Sequence, residues 1–124
     1  MKPPFAPAPC QTILEAAAQK DVARWLDYRQ HLWAHVPNGG KRSIQTAAAL
    51  KAAGVKRGVP DILVFTPPPR APSCRGAALE LKRQGGRVSP EQEQWLTALG
   101  DLGWAVFAAE GADVAIGWLA ELGY

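Results

Sequence analysis

Apolar and polar positions along the chain change period several times, and each change marks an element. From residue 12 the apolar positions Ile13, Ala17, Val22, Trp25 and Leu26 recur at roughly helical spacing, and TILE at 12–15 has the form of a capping box. A first helix is therefore expected from about 12 to 29. HLWAHV at 31–36 reads as a short strand, stopped by the turn-forming cluster PNGG. Ser43 can cap a second helix through SIQTAAALKAAG, with Gly54 placed to end it. DILVF at 61–65 is a compact β-rich run with Asp61 at its mouth. The four prolines of TPPPRAPSCRG forbid both ladder and helix, so this stretch is expected to be a surface excursion between two adjacent strands. AALELK at 77–82 is the returning strand. SPEQ at 89–92 combines an N-cap, a proline at the first helical position and a capping-box glutamine, for a helix reaching about Leu99. WAVFAA at 104–109 reads as a last strand, and ADVAIGWLAEL as a closing helix whose Val114, Trp118, Leu119 and Leu122 would face the sheet.

The order α-β-α-β-β-α-β-α predicts an α/β fold, a central mixed β-sheet flanked by helices. At 124 residues the chain suits one domain, placed at 12–124 behind an extended, proline-rich tail at 1–11. With 48% hydrophobic and 20% charged residues, and no apolar run near the ~20 residues of a membrane span, the expectation is a soluble cytoplasmic protein with no membrane partner. Nothing at the start resembles an export signal. Cys10 and Cys74 lack the paired spacing of a zinc or redox motif and read as incidental thiols in loops.

Charge sharpens this picture. Residues 37–87 hold ten Lys or Arg and only two acids, a local net of +8, whereas residues 88–124 hold six acids and no Lys or Arg. So polarised a distribution suits a polyanion approaching the middle of the chain. The two acids in the basic block are Asp61 and Glu80. Carboxylates inside a positive surface do little to grip phosphate, but they can hold a metal ion against it.

Glu80 and Lys82 fall on one face of their strand, roughly 6–7 Å apart along the chain, with Leu79 and Leu81 on the other. Asp61 opens what should be the neighbouring strand. Two carboxylates brought together resist joint ionisation unless a cation neutralises them, and hard oxygen ligands select Mg²⁺ or Mn²⁺ over zinc. Such a cation would polarise a phosphodiester and acidify a bound water, which Lys82 could orient or deprotonate.

PD at 60–61 followed by ELK at 80–82 resembles the PD-(D/E)xK nuclease superfamily, and the run PNGGKR…LKAAGVKRGVPDILVF…LELKRQGGRVSPEQ resembles its virus-type replication-repair nuclease (VRR-NUC) domain from about Glu15 to Phe107. The resemblance implies a restriction-endonuclease-like core and a Mg²⁺-dependent DNA endonuclease, with Mn²⁺ able to substitute and no organic cofactor. It implies Asp61, Glu80 and the Leu81 main-chain carbonyl as metal ligands, Lys82 in catalysis, Glu15 reaching the metal directly or through water, and Gln92 as the glutamine of the following helix. It further implies a homodimer acting on branched DNA such as four-way (Holliday) junctions, in repair or in a phage-infected cell. The apolar surface left for pairing is expected around Trp118 and Tyr124.

Each residue also has a plainer reading. Glu80 and Lys82 could be a solvated strand face, Asp61 a turn residue, Glu15 the partner of the Thr12 cap, and Gln92 the partner of the Ser89 cap, with Gln94 one rotation away. His31 reads as structural; His35, just before PNGG, is a candidate for lying near the substrate. Asn38, Gly39, Lys41 and Arg42 combine close backbone approach with cations and are candidate DNA contacts, as are Lys56 and Arg57 ahead of Asp61. The competing function is a non-catalytic DNA-binding module that uses the basic 37–87 surface.

Overall fold

The computed structural model describes residues 8–37 and 43–124, with side chains from Glu15 onward. Among the described residues eight elements follow in the expected order: α1 (Ala8–Tyr28), β1 (Trp33–His35), α2 (Ile44–Ala52), β2 (Ile62–Val64), β3 (Ala77–Lys82), α3 (Pro90–Asp101), β4 (Ala105–Glu110) and α4 (Ala112–Glu121). The strands form one sheet in the order β1-β2-β3-β4. β1–β2 and β2–β3 are antiparallel and β3–β4 parallel, with α3 as the crossover.

Two helices cover one face of the sheet. Val22 and Leu26 of α1 and Ala115 and Leu119 of α4 pack with Ile62, Val64, Leu79 and Leu81 in one core. Trp118 stacks on Phe107 at 5.3 Å. α3 covers the opposite face, where Gly100 lies against Val106. β3 is thus buried on both sides, as a strand between helical layers must be.

Several expectations are corrected. α1 starts at Ala8, so residues 8–11 are helical rather than extended tail, Cys10 lies in a helix, and Thr12 sits inside α1 instead of capping it. On α4, Val114 points outward and Ala115 inward, because Ala115, Leu119 and Leu122 share the helical stripe. The proline-rich segment does run over the surface between two adjacent strands, β2 and β3, as expected, but it is tied down: Pro68 is fully buried, the Arg70 N–H donates to Leu122 O at 2.9 Å, and the Tyr124 hydroxyl donates to Thr66 O at 2.6 Å. Tyr124 is therefore core and not spare surface for a second subunit.

Helix ends follow local chemistry. Ser43 caps α2, and Gly54, at φ 104°, ends it with Val55 N–H returning to Leu50 O, as the turn residue of a Schellman motif does. At the end of α1 the same turn is made by Gln30 at φ 60°, with His31 N–H returning to Leu26 O. Sequence pattern alone does not flag a glutamine there. Among the described residues no helix is long and apolar enough to cross a membrane.

Candidate functional site

β2 begins at Ile62, which pairs with Leu79, so β3 runs on past it with three residues, Glu80, Leu81 and Lys82, that have no strand partner on that edge. Asp61, one residue before β2, fills the gap. Its Oδ2 accepts the Leu81 N–H at 2.7 Å, and its own N–H donates to Glu80 Oε2 at 3.2 Å. In an extended strand a residue's N–H and C=O leave on the same edge, so the Leu81 carbonyl faces this opening too.

Glu80 is 3% exposed, buried under α3. The plainer alternative, a solvated strand face, does not hold for this carboxylate, which is covered, and three groups meet it there. Gln92 Nε2 donates to Oε1 at 2.5 Å, Lys82 Nζ stands 3.6 Å from the same oxygen, and Oε2 takes the Asp61 N–H. Burial, and then the neighbouring Asp61 charge, push the Glu80 carboxyl up to about 7. Burial also raises Asp61, against the lowering effect of the Leu81 N–H.

Gln92 performs both roles between which its sequence position left a choice. Its Oε1 accepts the Ser89 N–H at 2.9 Å to complete the capping box, which leaves Nε2 for Glu80. Gln94 lies instead on the outer surface of α3. Glu15 is free of the capping role because α1 began a full turn earlier; its Oε1 accepts the Arg83 N–H at 3.3 Å.

These side chains line one cleft of about 480 Å³: Glu15 on α1, Asp61 before β2, Glu80, Leu81 and Lys82 on β3, and Gln92 on α3. Three other polar residues line it as well: Gln19, Lys20 and His35. Gln19 could have been found from sequence, since i+4 from Glu15 shares its helical face, whereas Lys20, at i+5, is not marked by that rule. His35 is fixed from below, its Nδ1 2.7 Å from the Asp61 carbonyl oxygen.

Lys56 and Arg57 are exposed on the turn between α2 and β2 and do not line the cleft. Asn38, Gly39, Lys41 and Arg42 lie outside the described residues. Among the described residues no three His, Cys, Asp or Glu side chains converge as a metal-holding group. The acidic donors are thus the Asp61–Glu80 pair, with Glu15 set apart on the Arg83 N–H. Two carboxylates beside a main-chain oxygen fit Mg²⁺, which keeps several waters and takes one or two carboxylates from protein.

The sequence matches the VRR-NUC domain family over residues 13–113. A solved structure described as a VRR_NUC domain protein superposes with a TM-score of 0.70 over 87% of this chain and 86% of that one, at 24% identity. No curated protein matches the chain.

Proposed function

Because the chain belongs to the VRR-NUC family of nuclease-type domains, we propose that it is a Mg²⁺-dependent endonuclease that hydrolyses phosphodiester bonds in DNA. One observation carries this reading: two desolvated carboxylates, Asp61 and Glu80, meet beside the ammonium of Lys82. Such a pair costs stability in the bare protein, and the same oxygens make a ligand set for a hard cation.

Asp61, Glu80 and the Leu81 carbonyl would hold the metal, with Glu15 reaching it through water. The chemistry that Mg²⁺ or Mn²⁺ supplies when bound is neutralisation of the phosphodiester charge and a lowered pKa for bound water. Gln92 holds the Glu80 carboxylate in one rotamer, so the ligand oxygens are in place before substrate arrives. Lys82, held against Glu80, orients the attacking water and offsets charge as it builds on the phosphate. Water is the nucleophile, and no covalent enzyme intermediate forms.

The +8 charge of residues 37–87 supplies attraction to the DNA backbone without base readout. A domain of this size recognises shape, and we propose branched DNA, with four-way junctions as the preferred form and a homodimer placing two sites on opposing strands. The test is a cleavage panel of linear, flapped and four-way-junction DNA with and without Mg²⁺ or Mn²⁺, with the oligomeric state read by light scattering. Metal-dependent cutting is expected, strongest on the junction. Salt-sensitive binding without cutting would make the protein a DNA-binding module instead.

A further inference from the structure

His35 ends β1, opposite Ile62 in register, and its ring lines the cleft beside Asp61 and Lys82. Its Nδ1 lies 2.7 Å from the Asp61 carbonyl oxygen, which also accepts the Val36 N–H at 2.8 Å. A carbonyl oxygen only accepts, so Nδ1 must carry the proton, and in the neutral ring Nε2 is then a bare lone pair. Among the described residues Nε2 has no protein partner, and the ring is exposed. Both Glu80 oxygens are engaged, by Gln92 and by the Asp61 N–H, and Asp61 Oδ2 is engaged by the Leu81 N–H. A protonated Lys82 has only donors to offer.

We propose that His35 is a water-orienting residue of this site: anchored through Nδ1–H on the main chain of Asp61, it turns the Nε2 lone pair into the cleft as acceptor for the attacking water. This rests on the nuclease reading above. The anchor and the acceptor are separate functions. An asparagine amide can replace the Nδ1–H bond to Asp61 but places nothing where Nε2 stands; alanine loses both.

Two measurements test the idea. Long-range ¹H–¹⁵N spectra of the whole chain at about pH 8 should show His35 as the Nδ1–H tautomer. The Nε2–H tautomer would overturn the proposal whatever the cleavage assay shows. Steady-state cleavage by His35→Asn should lose about tenfold in kcat with KM little changed, the effect of one hydrogen bond at the reacting water. His35→Ala should lose at least as much. A His35→Asn variant cutting at the wild-type kcat refutes the acceptor role, and an undiminished His35→Ala refutes the anchor as well. If wild-type protein does not cut under any metal condition, the nuclease reading fails and with it the water-orienting role, while the tautomer still decides the geometry.

Discussion

Asp61 and Glu80 are tied crosswise: the Asp61 N–H donates to Glu80 Oε2 at 3.2 Å, while the Asp61 carboxylate accepts the main-chain N–H that follows Glu80, at 2.7 Å. Side chains here take the place of a strand ladder that has run out. One residue therefore serves the sheet and the site together, and the two roles can be separated by substitution.

Asp61→Ala should abolish cleavage and also cost about 1–3 kcal/mol, because the buried Leu81 N–H loses its acceptor. Asp61→Asn keeps an acceptor and should recover most of the stability but none of the activity. Lys82→Ala should abolish cleavage while leaving the fold and DNA binding in place. Thermal unfolding, cleavage and DNA binding measured side by side distinguish the three variants. Undiminished cutting by Asp61→Ala or Lys82→Ala would defeat the proposed mechanism.

Glu80 links stability to pH and to metal. Its carboxyl is raised to about 7 in the folded protein from an ordinary 4.5, so the folded state binds this proton more tightly than the unfolded one. The resulting stability is fully present below the unfolded value and is lost as pH rises through about 7. Metal-free protein should therefore be less stable at pH 8 than at pH 6, by on the order of 1–2 kcal/mol, and melt at a correspondingly lower temperature. Glu80→Gln should flatten that dependence and stabilise the metal-free protein at pH 8 while removing activity. Mg²⁺ should raise the melting temperature of wild type far more at pH 8 than at pH 6, since metal and proton compete for the same oxygens. A Glu80→Gln protein with the wild-type pH profile would assign the effect elsewhere.

Gln92 and Ser89 separate capping from positioning. Ser89→Ala removes the side chain that accepts the Gln92 N–H and should cost about 1 kcal/mol with activity largely kept. Gln92→Glu keeps an oxygen for the Ser89 N–H but sets a third carboxylate against Glu80. It should cut much more slowly than Ser89→Ala at comparable stability. Equal activities in the two variants would reduce Gln92 to a helix cap.

Gly58 should be intolerant of any side chain. A Cβ there would stand 2.6 Å from the Glu91 carbonyl carbon and 2.8 Å from the Gln92 nitrogen, and its φ is 89°. Gly58→Ala should destabilise by about 2–4 kcal/mol and lower activity by shifting the first turn of α3, which carries Gln92. Gly58→Asn, which tolerates positive φ but not the contact, should fail to rescue it. Rescue by asparagine would make backbone conformation, not close approach, the cause.

His31 and Glu15 show why some of the site could be read from sequence and some could not. Local codes carry most of the architecture. Alternation put Leu79 and Leu81 opposite Glu80 and Lys82, and the SPEQ motif placed the start of α3 at Pro90, because strand period and cap geometry depend only on near neighbours. His31, read as structural, lies edge-on to Tyr124 at 5.0 Å, but that partner is 93 residues away in the chain and invisible to any local rule. Glu15 looked like a cap because TILE fits the pattern; the helix runs on toward Ala8 and frees it for Arg83.

What the sequence by itself determined is the order of elements, the single ELK strand and the presence of two acids in a cationic block, since these depend on short-range periodicity and on composition. Only the tertiary structure decided that Glu80 is buried under α3, that Gln92 gives its oxygen to the cap and its nitrogen to Glu80, and that His35 shares the cleft. Each of those depends on how far one element reaches past another, here β3 past the start of β2, and that offset is set by packing of the whole sheet against its helices.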